Sequence, residues 1–226
     1  MEQQFDRFKE APWFSERAES VMIGGAGGIG SWLAFFLARA GFDLTIYDFD
    51  ILEAHNIGGQ LYRTEDVGLH KVDALYQILQ QYTDTQVIAI NDRITDVSPT
   101  HRFMFSAFDN MKARKDLFTV WKRSTLNSPV TPIFIDGRLE AEQMQIFCVT
   151  PANMKEYEEQ HLFDDSEVDD TACSYRQTSH SAAMIAAKMC AYFTNHITNI
   201  FERENVREVP FYYEYFIPMN LTTEAV

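Results

Sequence analysis

The chain predicts an α/β fold built on a doubly wound, mostly parallel sheet, closed by a long C-terminal helix and an aromatic strand. Three observations carry that expectation. An apolar strand, Val21-Met22-Ile23, runs into the glycine turn Gly24-Gly25-Ala26-Gly27-Gly28-Ile29-Gly30 and on into an apolar helix, Trp32 to Arg39, that stops at Gly41. A second strand, Leu44 to Tyr47, follows and ends in the carboxylates of Asp48-Phe49-Asp50, about 20 residues past the turn. Short apolar runs then alternate with helical periodicity, the pattern of strand-helix-strand units whose sheet is parallel and whose ligands lie outside the strands' carboxyl ends.

The elements follow in order. Residues 51–70 have no clear period and carry Gly58-Gly59 and Gly68, which predicts a long loop above the sheet. Lys71 to Tyr82 places apolar residues at 72, 75, 76, 78 and 79, a helical face. Val87 to Ile90 reads as a third strand. Phe103 to Phe108 is a fourth, continuously apolar as a strand buried on both faces is, with Asp109 at its carboxyl end. Met111 to Arg123 reads as a helix, Pro132 to Asp136 as a fifth strand, and Met144 to Thr150 as a sixth with an antiparallel direction open to it. Residues 151–177, with the acidic run Asp164 to Asp170, read as a crossover loop leaving the core. Thr178 or Ser179 is placed to cap a helix from His180 to about Phe201. Its small residues suit packing on the sheet or against a second subunit. Val209 to Pro218 is aromatic enough for a final strand.

Composition narrows the function. With 226 residues and 46% hydrophobic content, the chain supports one core, and no linker divides it, so residues 1–226 are expected to form one domain with 1–20 as an N-terminal helical segment. A formal charge of −14 argues against a nucleic-acid groove or an anionic membrane surface, since both need a basic patch. Three cysteines, Cys148, Cys173 and Cys190, with no C-x-x-C spacing, indicate neither a disulfide framework nor a zinc ribbon, and a reduced, cytoplasmic setting fits. The charged N-terminus and the lack of any long apolar run predict no signal peptide and no membrane span.

The glycine turn presses backbone N–H groups against phosphate at a helix N-terminus, and the acid at the end of the second strand takes ribose hydroxyls. Gly25-x-Gly27-x-x-Gly30 by itself is shared by dehydrogenases, methyltransferases and nucleotidyl transferases, and a tight strand-to-helix turn also explains it. The ordered set is more specific. Gly25 to Ser31, Asp48-Phe49-Asp50, Asn56, Gln60, Gly68-Leu69-His70-Lys71 and Phe108-Asp109-Asn110-Met111-Lys112-Ala113-Arg114 together resemble the ThiF/MoeB family of Rossmann-like adenylyltransferases related to ubiquitin-activating enzymes. The resemblance implies ATP-dependent adenylation of the C-terminal glycine of a ubiquitin-like or sulfur-carrier protein, with ATP and magnesium as cofactors and a homodimer as the assembly.

It also implies roles residue by residue. Gly25, Gly27, Gly28 and Gly30 would hold the nucleotide backbone and Asp48 the ribose, while Lys71 neutralises the departing pyrophosphate. Asp109 would hold magnesium, although a carboxylate there also suits the N-cap of the helix at Met111. Asp50, Asn56 and Gln60 occupy positions near the nucleotide, and Arg114 either orients Asp109 or lies exposed. Arg7, in Phe5-Asp6-Arg7-Phe8, resembles an arginine that reaches the opposite subunit's site, with Arg17 its rival. Cys173 lies where some members place a nucleophile, which requires a thiolate.

Two departures bear on activity. Where the family carries an arginine before Gln60 this chain has Gly59, so one phosphate-binding cation is absent, and Arg63 is the candidate replacement. The four zinc cysteines of many members are missing, so no structural zinc is expected. A nicotinamide-dependent oxidoreductase is the rival enzyme reading, and a non-catalytic nucleotide- or carrier-binding protein the rival from another class.

Overall fold

The structure, a computed structural model, describes residues 2–14, 20–126, 128, 130–163 and 178–225. One eight-stranded mixed sheet runs through it in the order β3-β2-β1-β4-β5-β6-β7-β8. The first five strands, β1 (Val21–Gly24), β2 (Leu44–Tyr47), β3 (Val87–Ile90), β4 (Phe103–Ser106) and β5 (Ile133–Glu140), pair in parallel, and β6 (Gln143–Val149), β7 (Tyr212–Phe216) and β8 (Leu221–Ala225) extend the sheet antiparallel. The chain turns one way from β1 to β2 and β3, then returns to the other side of β1 as β4 and β5. That reversal leaves a crevice between the carboxyl ends of β1 and β4, where open α/β sheets bind ligands.

Alternate residues of each strand face opposite layers. Val21, Ile23, Phe103, Phe105, Ile133 and Ile135 pack under α1 (Gly28–Ala40), α2 (Lys71–Leu79) and the long α5 (Ser179–Phe201). Met22, Met104, Phe134, Phe147 and Val149 pack under α3 (Met111–Lys122) and α4 (Met154–Gln160), with Trp121 and Tyr157 wholly buried. The small residues of α5 let it lie on the sheet and against α1, as one of the two sequence readings had it. The N-terminal segment is a 3-10 turn, Glu2–Phe5, whose Phe5 and Phe8 join Trp13 and Phe14 in an aromatic cluster, and Trp13 stacks on Phe42 at 5.8 Å.

Several boundaries depart from expectation. α2 ends at Leu79 instead of Tyr82, whose ring packs edge-on against Phe35 at 5.1 Å. The fifth strand continues past Asp136 to Glu140 because β6 pairs with it along that whole length. The crossover begins with α4, whose burial of Tyr157 no apolar period announced. Strand β8 is exposed throughout and held by backbone pairing to β7, so its sequence carries no alternation. Among the described residues no helix is long and apolar enough to cross a membrane.

Candidate active site

The crevice is a cleft of about 1250 Å³, and its floor is the glycine turn. Gly25 sits at φ +95, where a side chain is strained, and a Cβ there would lie 2.9 Å from the Ala107 carbonyl oxygen. A Cβ on Gly30 would come within 1.9 Å of the Gly25 oxygen, so the turn closes onto the helix only with glycine at both positions. The loop 51–70 clamps this turn from above. Tyr62 donates its hydroxyl to the Ala26 carbonyl at 2.6 Å, Leu61 N–H donates to Ser31 Oγ at 3.0 Å, and the Trp32 indole donates to the Gly59 carbonyl at 3.3 Å.

Asp48 is buried at the end of β2, accepting N–H bonds from Ala26 (2.7 Å) and Asp50 (2.8 Å). Burial pushes its carboxyl above the usual range, against the opposing pull of Lys71 and those two amides. Lys71 opens α2, buried, with Nζ 2.7 Å from Asp50 Oδ2. Asn56 and Gln60 also line the cleft. Asn56 Oδ1 accepts the Glu53 N–H at 2.8 Å, which shapes the loop. Gln60 lies beside the turn, its Nε2 4.0 Å from where a Gly27 Cβ would be, and its buried Oε1 has no partner among the described residues. An unpaired buried acceptor on a residue beside the glycine turn is a polar group to which a nucleotide amine or hydroxyl would donate.

Asp109 and the cap of α3 resolve into two residues. Asn110 Oδ1 caps the helix by accepting the Ala113 N–H at 2.9 Å. Asp109 lines the cleft, and its carboxylate accepts the Asn110 side-chain amide at 3.2 Å. Among the described residues no cluster of three or more metal-ligating side chains exists. One carboxylate beside a phosphate site suits magnesium, which keeps most of its waters and takes oxygens from phosphate.

Two cations find partners that the sequence did not indicate. Arg63 does not line the cleft. Its guanidinium grips Asp66 (2.7 and 3.1 Å) and Glu65 (3.0 Å), because Asp66 is almost fully buried and a buried carboxylate needs a charged partner. Arg114 neither orients Asp109 nor lies exposed. It is buried and bonds Asp136 and the carbonyls of Phe108 and Gly137 (3.1 Å for the last). Arg7 is exposed and lies outside the cleft of its own chain. Cys173 and Arg17 lie outside the described residues. The Cys148 thiol is buried in β6 and pushed up by desolvation, and Cys190 is pushed up to about 12, so neither is a thiolate at neutral pH.

Sequence reasoning missed the far wall. Fully buried Asp136, beyond its bond to Arg114, accepts from Arg138 Nε (2.7 Å) and the Tyr157 hydroxyl (2.9 Å). The two arginines hold its carboxyl below the usual range despite burial. Arg138 also donates to the His161 carbonyl (2.8 Å) and lies over the Phe147 ring at 4.6 Å. Across the cleft, the Arg93 guanidinium covers the Phe49 ring at 4.0 Å. The string Asp136-Gly137-Arg138, charged residues where an apolar strand meets the sheet's carboxyl rim, was the available signal.

A family model described as "ThiF family" matches residues 5–223. Relatives include a ubiquitin-like modifier-activating enzyme 5 of Aedes aegypti, 28% identical over 55% of this chain and 37% of its own length, and a tRNA threonylcarbamoyladenosine dehydratase of Escherichia coli, 26% identical over 56% and 50%. The chain spans half or less of the length of either. In fold it is similar to PaaA (TM-score 0.71, 19% identity, 98% of this chain, 73% of that one) and to Escherichia coli MccB crystallised with ATP (0.68, 16%, 94%, 65%). With a family match over nearly the whole sequence on this strand order, the chain belongs to the ThiF family.

Proposed function

We propose that the chain binds ATP in this cleft and transfers its adenylyl group to a carboxylate, the C-terminal glycine of a small ubiquitin-like or sulfur-carrier protein, with release of pyrophosphate. The observation that carries the reading is the placement of buried Lys71 and cleft-facing Asp109 on either side of the glycine turn. A dinucleotide site for hydride transfer requires neither. That MccB, of similar fold, has been crystallised with ATP supports the same reading.

Asp48, fixed by two backbone amides, would accept the ribose hydroxyls. The glycine turn and the N-terminus of α1 would receive the α-phosphate. Lys71 reaches the leaving phosphates by exchanging its bond to Asp50 for one to phosphate, so its charge is positioned before the substrate arrives. Magnesium on Asp109 would neutralise charge on the triphosphate. The substrate carboxylate attacks the α-phosphorus itself, so no protein nucleophile or general base is needed, and the protein's contribution is orientation and charge. A homodimer would bring Arg7 of one copy toward the other's cleft.

Exchange of labelled pyrophosphate into ATP, with and without candidate carrier proteins, tests this. Exchange that depends on magnesium and on a carrier with a free C-terminus is the expected result. Tighter calorimetric binding of NAD than of ATP-magnesium would overturn it, and ATP binding without exchange under any carrier would identify a non-catalytic member, a state the glycine at position 59 makes chemically plain.

A further inference from the structure

Two cation–carboxylate pairs stand on the wall of the cleft that the β2–α2 loop supplies. Lys71 Nζ lies 2.7 Å from Asp50 Oδ2, His55 Nδ1 lies 3.1 Å from Glu53 Oε2, and all four residues line the cleft. The neck of the loop holds the pairs on one side. Ile51 bridges His70, Leu52 N–H donates to the Leu69 carbonyl at 2.8 Å, and Lys71 N–H donates to the Asp50 carbonyl at 2.9 Å. Lys71 therefore sits where the chain leaves the loop, and His55 in the first turn after it enters. The Lys71–Asp50 pair carries the charge assigned above to the leaving phosphates. The His55–Glu53 pair has no part in that account, and an exposed ion pair adds too little stability for the fold to need it.

Short helical turns fix where His55 stands. Glu53 N–H donates to Asn56 Oδ1 at 2.8 Å, Asn56 N–H to the Glu53 carbonyl at 2.9 Å, and the Asn56 carbonyl accepts both Gly59 N–H (3.2 Å) and Gln60 N–H (3.1 Å). Glu53, Asn56 and Gln60, at i, i+3 and i+7, line the cleft. Residues 55 and 59 are one turn apart on a shared face. Side chains in a helix lean toward its N-terminus, so a cation at position 59 would extend over residue 55. Position 59 is glycine, and the imidazole of His55 occupies that place. Exposure separates this pair from the arginine pairs. Asp136 and Asp66 are 0% and 2% exposed and cannot release their arginines, whereas Asp50 and Glu53 are 49% and 68% exposed and can turn to water when a phosphate takes their cation.

We propose that His55 is a phosphate-binding residue, its imidazolium exchanging Glu53 for an oxygen of the triphosphate's outer phosphates beside Lys71. The inference rests on the ATP reading of the cleft for its ligand and on the two exposed ion pairs for its place. No proton moves in the exchange: the imidazolium keeps both N–H groups, and the Glu53 carboxylate passes into water. An imidazole in place of a guanidinium makes this contact depend on pH, because histidine is the side chain whose charge ordinarily changes between pH 5 and 8. Affinity for the outer phosphates should therefore rise as pH falls. Glu53, Asp50 and Lys71 are the charged groups that share the wall. Asp48 titrates in the opposite sense, and it acts through the ribose, which AMP carries as well as ATP.

Calorimetry on the full chain with magnesium, at about pH 6 and about pH 8, tests this with ATP, AMP and pyrophosphate as probes. At the lower pH wild type is expected to bind ATP about tenfold more tightly than His55→Gln, the worth of one charge-assisted hydrogen bond, while the two bind AMP equally. The gap should close at the higher pH. His55→Arg keeps its charge at both and should hold the tighter ATP affinity throughout. Titration of the γ-phosphate itself is common to all three proteins and cancels between them. Residue 55 is exposed, so the variants should melt with wild type, and a thermal scan verifies it. Equal ATP affinity in wild type and His55→Gln at the lower pH, or an equal loss for AMP, overturns the role. Exchange of labelled pyrophosphate into ATP separates the two readings. Pyrophosphate binding that needs His55, with no exchange, keeps the inference and rejects adenylation. Exchange and ATP affinity that are the same with and without His55 do the reverse.

Discussion

Asp109 and Asn110 show how adjacent residues divide two tasks that a sequence assigns to either. The amide takes the cap and the carboxylate faces the cleft, so their variants should separate cleanly. Asn110→Ala removes the cap from α3 and should cost about 1 kcal/mol in chemical denaturation, with pyrophosphate exchange retained in the folded fraction. Asp109→Ala should leave the melting temperature in place and lower magnesium-dependent exchange on the order of 10²- to 10³-fold. A variant of Asp109 that unfolds with normal specific activity would return the carboxylate to a structural role. Asp48 adds a pH signature. Its folded-state pKa is raised by burial, and in the proposed reading the ionised form accepts the ribose hydroxyls. Nucleotide affinity should therefore fall as pH descends through that raised value, beginning at higher pH than an ordinary aspartate would give. Asp48→Asn should bind weakly with the acid-side dependence gone, and calorimetry across pH 4–7 reads this out, a window chosen to bracket the ordinary carboxylate range from above.

At the scale of elements, the loop between β2 and α2 is a clamp on the glycine turn, and its Arg63 spends its charge on Asp66 and Glu65. Its two ends are bridged at Ile51 and His70, and its middle is pinned by Arg63 on Asp66. Arg63→Ala is expected to leave ATP affinity unchanged while lowering the melting temperature, because it strands a buried carboxylate that does not line the cleft. Calorimetry together with a thermal melt checks both arms, and a loss of ATP affinity without a change in stability would put Arg63 back among the phosphate ligands. Gly59 is buried, with its carbonyl taken by the Trp32 indole, so this stretch of loop serves to close the turn.

Across the whole molecule, the buried ion network behind the cleft ties the parallel and antiparallel halves of the sheet to the crossover. Arg114 comes from α3, Asp136 and Arg138 from β5, and Tyr157 from α4. Asp136→Asn would leave two arginines without their charge partner and should destabilise the fold by about 3–5 kcal/mol, measured by denaturant unfolding. Because the folded-state pKa of Asp136 is depressed, its stabilisation is fully present above the ordinary carboxylate range and is lost as pH falls through the lower folded value. The wild type should therefore show an acid-side stability decline below about pH 4 that the asparagine variant lacks. An unchanged unfolding midpoint in the variant would show the network to be dispensable.

The sequence by itself determined the strand-turn-helix at the glycine turn, the mostly parallel direction of the sheet, the long C-terminal helix, and Asp48, Lys71 and Asp109 as residues of one rim. These are local or periodic facts: glycine where the turn needs it, apolar alternation where a sheet is buried, charge at a strand's end. The tertiary structure decided everything that depends on which partner a charge finds. Arg63 went to Asp66 and Arg114 to Asp136 because a buried carboxylate demands a cation, and the helix cap went to Asn110, whose amide oxygen meets the Ala113 N–H. It also brought Gln143 and Gln145 to Glu214, since residues 69 positions apart or more become neighbours only when β7 returns to pair with β6. Strand β8 escaped the sequence for a related reason, its stability coming from backbone pairing at an exposed edge and not from any side-chain pattern.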